Sequence, residues 1–280
     1  MRLRRGRSHA YRITVEPGLL ERVPALLGPL AGGRDLFVIT DATVGRLYGR
    51  ALAHACERDC WRTLVLEIPP GERSKNGELV SALYGELLTH GIHRRSLIVA
   101  LGGGVVGDLA GFVAATILRG VPFVQIPTTL LAQVDSSVGG KVGIDHPTGK
   151  NLIGAFCQPQ AVFIDPGVLR TLTPRQFRNG LAEVVKIAAA LDPGFFAFLQ
   201  RRAGAIAQGR TRLLERIIAR AVALKAAVVE RDEFERDVRR TLNLGHTIGH
   251  AVEAASGFRI QHGEAVSIGL AAESDIAVRL

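Results

Sequence analysis

Short runs of consecutive apolar residues alternate with longer segments of helical spacing through the first part of this chain. Leu36-Phe37-Val38-Ile39-Thr40, Thr63-Leu64-Val65-Leu66-Glu67-Ile68, Ser96-Leu97-Ile98-Val99-Ala100-Leu101, Phe123-Val124-Gln125-Ile126-Pro127 and Ala161-Val162-Phe163-Ile164 read as strands. Tyr11-Arg12-Ile13-Thr14-Val15 alternates as a strand does. Residues 19–30, 44–60, 76–90 and 109–118 carry helical spacing between them. Strands with little polar alternation are buried on both faces, as in a parallel sheet covered by helices. The alternation of strand and helix therefore predicts a doubly wound α/β fold, with ligands beyond the carboxyl ends of the strands. Beyond Thr173-Pro174 only helical spacing remains, over 181–190, 195–207, 213–229, 245–255 and 265–280. The expected division is an α/β domain over 1–170 and an all-α domain over 171–280, with a site in the cleft between them.

Composition adds three limits. Apolar residues make up 47% of the 280 and aromatic residues only 5%, so the core is aliphatic. The formal charge is +9, partly from Met1-Arg2-Leu3-Arg4-Arg5-Gly6-Arg7. The other basic residues are scattered and lack aromatic interleaving, so no nucleic-acid partner is expected and an anionic small substrate is the better use of the charge. Cys56, Cys60 and Cys157 form no disulfide or metal framework; Cys56 and Cys60 are expected to pack on one helix. With no signal peptide or long apolar span in view, a cytoplasmic protein without a membrane partner is expected.

The candidate chemistry lies in four stretches. Gly102-Gly103-Gly104-Val105-Val106-Gly107-Asp108 follows a strand and precedes a predicted helix, where backbone N–H groups can meet a diphosphate. The same glycines also suit a plain tight turn. Asp41 closes an earlier strand and could accept a ribose hydroxyl or cap the next helix. Asp135-Ser136-Ser137-Val138-Gly139-Gly140-Lys141 and Gly149-Lys150-Asn151-Leu152-Ile153-Gly154 suit an anion held by ammonium groups and backbone donors, or a solvated glycine-rich loop. His246 and His250, four residues apart, share a helix face, and His262 follows. Three histidines so close fit a divalent metal or a proton relay, although helix-surface or core histidines can cluster too. Thr247 stands where a zinc protease of His-Glu-x-x-His type needs glutamate, so that reading is poor. Glu183, an acid in an apolar helical run, is the best upstream carboxylate.

Taken in order, these residues resemble 3-dehydroquinate synthases, among the sugar-phosphate cyclases. The match includes Gly71-Glu72 with Lys75, the 102–108 loop, Arg119-Gly120, Pro127-Thr128-Thr129, the two glycine-rich stretches, Ala182-Glu183 with Lys186, Lys225, Arg239 with Asn243, and the three histidines. The resemblance implies NAD held by Asp41, Glu72, Lys75, Gly103, Gly104, Asp108, Thr128 and Thr129, with Lys150 at the junction with substrate. It implies a metal, Zn2+ or alternatively Co2+, on Glu183, His246 and His262, leaving His250 as a substrate or proton-relay residue. It places Asp135, Lys141, Asn151, Lys186, Lys225, Arg239 and Asn243 on the substrate, with His250, Lys141, Asn243, Arg239, Lys186 and Lys225 as the catalytic set. Arg119 would reach the substrate phosphate across a homodimer interface.

The implied reaction converts 3-deoxy-D-arabino-heptulosonate 7-phosphate to 3-dehydroquinate and phosphate, a step of the shikimate pathway toward aromatic amino acids. Transient oxidation by NAD, phosphate elimination, re-reduction and intramolecular aldol closure make it a net lyase. Val142 and Asp237-Val238 depart mildly from the common pattern. Family members usually continue past the segment ending here at Leu280, so the helical domain is expected to be incomplete and to lack a further basic site residue. The alternatives are another sugar-phosphate cyclase, a metal-dependent polyol dehydrogenase, or an inactive truncated homologue.

Overall fold

A computed structural model describes residues 10–257 and 259–280. The basic segment 1–7 lies outside the described residues. Strand β1 (Arg12–Val15) is followed by α1 (Val23–Leu27), set between the 3-10 turns Leu19–Arg22 and Gly28–Leu30. The continuous helix expected over 19–30 is thus broken into three pieces. Pro24 and Pro29 supply no N–H, and each sits in the first turn of a short helix, where none is needed.

After β2 (Asp35–Asp41) the chain enters α2 (Ala42–Val44), passes a π turn at Gly45–Gly49 and continues as α3 (Arg50–Arg58). Cys56 is buried, but Cys60 lies past the helix end, exposed at φ 64°, so the packing role expected of both cysteines holds for Cys56 alone. Next come β3 (Arg62–Ile68), α4 (Gly77–Thr89), β4 (Leu97–Gly102) and α5 (Gly104–Thr116). Helix α5 starts at Gly104, not at the expected 109. Its early glycines weaken the helical signal but are needed for packing: a Cβ on Gly107 would lie 2.7 Å from Gln125 Oε1, and one on Gly111 would collide with Val142.

Then follow β5 (Phe123–Pro127), β6 (Lys141–His146), β7 (Gly149–Phe156) and β8 (Ala161–Ile164). The remainder is helical: α6 (Pro174–Leu191), α7 (Pro193–Ala207), α8 (Thr211–Arg231), a 3-10 turn at Val238–Asn243, α9 (His246–Ala255) and α10 (His262–Arg279).

Six strands form a parallel sheet in the order β1-β8-β5-β4-β2-β3. Its two faces are both covered. Ile98 and Ala100 of β4 join the cluster of Leu109, Val113 and Phe123, while Leu97, Val99 and Leu101 join Leu27, Cys56 and Trp61 on the other face. Each of the leucine, isoleucine, valine and phenylalanine side chains among these contributes about 1.5–3 kcal/mol on burial. From β2 the chain turns to β3 on one side and then to β4 on the other. Ligand crevices form where strand order reverses in this way, and Asp41 and Gly102 end the two strands concerned.

The stretches 135–141 and 149–154 are ordered secondary structure rather than a loop, although Lys141 and residues 151–154 are exposed. They contribute a π turn at Ala132–Ser136 and the antiparallel hairpin β6–β7. Val142 and Ile144 anchor the hairpin in the sheet core beneath α5. Gly143 faces Gly154 across it, where a Cβ on Gly143 would lie 2.6 Å from the Ile153 carbonyl oxygen. The third cluster lies among the helices, with Val184, Ile187, Ile217 and Ile218 packed on Val134, Val162 and Ile164.

Candidate active site

Helix α6 starts on a Thr173 cap, whose Oγ1 accepts from Gln176 N, with Pro174 in the first turn. Glu183 and Lys186 follow one turn apart and are buried, at 0% and 2% exposure. Glu183 Oε1 lies 3.1 Å from Nε2 of His262 and 3.8 Å from Nε2 of His246. Ligand atoms of the three residues all lie within 4.8 Å of one another. Donors spaced roughly 3.4 Å apart suit zinc in tetrahedral coordination. The oxygen–nitrogen set, with a carboxylate buried against neutralisable imidazoles, fits a borderline cation such as zinc or cobalt. The His250 ring stands beside the triad, its centroid 5.2 Å from that of His246 and 5.9 Å from that of His262.

Glycines bring the three helices together. Gly263, next to His262, sits so close to α6 that a Cβ would collide with the Asn179 carbonyl, and Asn179 Oδ1 accepts from Gly263 N at 2.5 Å. Gly269 meets the Gly245 carbonyl in the same way, just before His246. Gly245 adopts φ 80°, and its N–H and that of Ile248 donate to Glu273 of α10 at 2.6 and 3.3 Å. Alanine at position 263 should therefore push α10 off α6. A stability loss of about 1–3 kcal/mol is expected, with weaker zinc binding, both readable by denaturant titration and chelator competition; an unchanged zinc affinity would show that the triad tolerates the shift.

A line of alternating charges runs through the site. Lys225 Nζ donates to the Asp135 backbone oxygen at 2.6 Å and also to its carboxylate. Asp135 Oδ2 accepts from Lys186 at 3.0 Å. Lys186 Nζ lies 2.6 Å from Glu183 Oε2 as an ion pair. The line continues through His262, whose Nδ1 lies 3.1 Å from Glu253 Oε2, to Lys150, which donates to Glu253 Oε1 at 3.2 Å. Burial favours the neutral form of His262, but hydrogen bonds to Glu183 and Glu253 outweigh it and raise its pKa to about 9. Burial keeps His246 and His250 below the usual histidine value.

Two further groups of expected residues meet. Lys75 donates to Asp108 Oδ2 at 2.6 Å and to Asn151, joining a residue assigned to substrate to two assigned to cofactor. Asn151 holds φ 57°, fixed by its N–H to Asp145 Oδ1 at 2.8 Å. Lys141 pairs with Glu235, which also accepts from Asn243 Nδ2 at 3.1 Å. Arg239 is 2% exposed and donates to the carbonyls of Glu233 and Gly139 at 2.5 and 3.1 Å. Arg119 is exposed on a turn where Leu118, Arg119 and Gly120 all have positive φ.

On the sheet side, Gly103 and Gly104 begin α5 without a side-chain cap, leaving first-turn N–H groups open to an anion. A Cβ would lie 3.0 Å from Thr129 Cγ2 at Gly103 and 3.1 Å from Ser136 Oγ at Gly104. The Thr128 hydroxyl is buried without a hydrogen-bond partner among the described residues, while Thr129 Oγ1 accepts from Ala132 N at 3.2 Å. The orphaned hydroxyl and bare helix start fit a dinucleotide. Asp41 Oδ1 accepts from Thr43 N and Val44 N at 2.8 and 3.0 Å, so the capping role read from its position is realised. Glu72 is exposed on the short 3-10 turn Glu72–Ser74 that leads to Lys75.

Sequence reasoning passed over Glu253, Glu235 and Glu273, although each holds a site group. Glu253 carried one signal: at three residues past His250, it lies on the same face of α9.

The sequence pattern of the 3-dehydroquinate synthase N-terminal region matches residues 65–179, and that of the C-terminal region matches residues 180–280. The 3-dehydroquinate synthase of Pelotomaculum thermopropionicum is 50% identical over 272 residues, covering 97% of this chain and 73% of that protein. Among solved structures, 2-epi-5-epi-valiolone synthase from Streptomyces hygroscopicus, with NAD+ and Zn2+ bound, superposes with a TM-score of 0.88 at 31% identity, over 97% of this chain and 75% of the other. A 2-deoxy-scyllo-inosose synthase complexed with carbaglucose-6-phosphate, NAD+ and Co2+ gives 0.84 at 28% identity, over 96% and 74%. With the pattern matched from residue 65 to residue 280 and half of the residues shared with a curated synthase, the chain belongs to the 3-dehydroquinate synthase family.

Proposed function

We propose that this chain converts 3-deoxy-D-arabino-heptulosonate 7-phosphate to 3-dehydroquinate and phosphate, as an NAD- and metal-dependent lyase of the shikimate pathway. The observation that carries this reading is the Glu183–His246–His262 triad set against buried Lys186, Lys225 and Arg239, in a chain half identical to a 3-dehydroquinate synthase. When bound, the metal supplies Lewis acidity and the nicotinamide a reversible hydride acceptor. The chain's residues supply position and charge. Lys141, Lys186, Lys225, Arg239, Asn243 and Asn151 hold the carboxylate and hydroxyls of an anionic sugar. His250, partly exposed beside the triad, moves a proton to or from substrate. Glu235 must release Lys141 and Asn243 before an anion can take its place.

NAD lies over Gly103 and Gly104, with Asp41, Glu72, Lys75, Asp108, Thr128 and Thr129 around it and Lys150 at the junction. Residues 1–170 form the cofactor-binding domain and 171–280 the metal- and substrate-binding domain. The working protein is a cytoplasmic homodimer in which exposed Arg119 reaches the partner's substrate phosphate. No helix of the described residues is long and apolar enough to cross a membrane.

Phosphate release from the heptulosonate phosphate, with and without NAD and after chelation, tests the reading. Release that requires both NAD and metal, without net NADH, is the expected result. Steady NADH accumulation would mark a polyol dehydrogenase. Phosphate release from sedoheptulose 7-phosphate or glucose 6-phosphate instead would mark a different cyclase, and absence of turnover with all of these would reject the activity.

A further inference from the structure

We propose that Glu253 is a positioning residue that sets the ring of His262 for metal binding and ties it to Lys150 of the β6–β7 hairpin. This rests on the proposed metal site. Glu253 is 4% exposed, so its carboxylate must be paired where it lies. It uses both oxygens: Oε2 faces His262 Nδ1 at 3.1 Å, and Oε1 accepts from Lys150 Nζ at 3.2 Å. With Nδ1 held by Glu253, Nε2 is the ring atom left on the Glu183 side for a metal, where His246 Nε2 also points. A carboxylate behind a ligating imidazole fixes its tautomer and orientation and raises its basicity.

Glu253 also stands on α9 with His246 and His250, while His262 begins α10. One carboxylate therefore bridges two helices that would each deliver a ligand. Its second oxygen connects this bridge to the hairpin carrying Lys150 and Asn151. Lys150 is thereby tied to His262 through a shared carboxylate.

The test is zinc affinity by chelator competition on wild type, Glu253→Ala and Glu253→Gln, with thermal melts of the zinc-free proteins as a separate measure of folding. Glu253→Ala should lose about 10–100-fold in zinc affinity. Glu253→Gln, whose amide oxygen still accepts from Nδ1–H, should recover most of that loss. A purely structural ion pair would lower the melting temperature of both variants and leave zinc affinity within about two-fold, which overturns the proposal. Two zinc equivalents on wild type and one on Glu253→Ala would also overturn it, because Glu253 would then be a ligand with His250. Absence of stoichiometric zinc on wild type would reject the metal site itself, a different outcome from equal affinities.

Discussion

Replacing Glu183 with alanine should abolish metal-dependent turnover and weaken zinc binding by more than about 100-fold, the upper range for losing only an outer partner of a ligand. Among the described residues Glu183 is the carboxylate that both His246 and His262 face, and it is fully buried. Its loss removes a proposed ligand and also leaves Lys186 with one counter-charge in place of two. Glutamine separates the effects: it keeps the volume and a carbonyl ligand but not the charge. Zinc retention by inductively coupled plasma analysis and phosphate release read the two consequences independently. An alanine variant that held zinc as tightly as wild type would require a different ligand set.

Asp135→Asn is expected to be the most destabilising polar substitution in the site, by about 3–5 kcal/mol, because it leaves buried Lys225 without its counter-charge and Lys186 with Glu183 alone. Burial alone would raise the Asp135 pKa, but the charges of Lys186 and Lys225 overcome it and hold the carboxyl well below the usual range. A carboxylate depressed in the folded state contributes stability that is fully present above its unfolded pKa, near 4, and is lost as pH falls toward the folded value. The difference between wild type and Asp135→Asn in urea should therefore be constant near neutrality and shrink below about pH 4. Adding Lys225→Met should return part of the lost stability, since burying an apolar chain costs less than burying an unpaired charge. A pH-independent difference would mean that packing, not charge, sets the effect.

The parallel sheet was legible because its strands are apolar on both faces, and β4 shows this at every position. The helical half was legible from spacing, and Glu183 from an acid placed among apolar neighbours. The hairpin was not legible: five glycines in residues 139–154 weaken any strand pattern, yet Gly143 and Gly154 are there because two backbones cross closely. The start of α5 was hidden for the same reason. The outer acids were missed because glutamates on helices ordinarily face water, and only tertiary contact distinguishes Glu253 from such residues. Sequence reading also divided Lys75 and Asn151 between cofactor and substrate, which the structure joins by a hydrogen bond.

Strand β1 pairs along its whole length with β8, from Arg12 on Ala161 to Val15 on Ile164. Tyr11, beside it, accepts from the Gly139 N–H, in the turn that also receives Arg239. During synthesis the first strand must therefore wait for its partner. At usual elongation rates that interval is on the order of ten seconds. Through it the turn under Arg239 has no support from Tyr11, and the nascent sheet keeps an open edge beside β5. Vectorial folding thus completes the sheet from the β2–β3 side toward the β1 edge, and the earliest residues of the described chain are among the last of the sheet to become native.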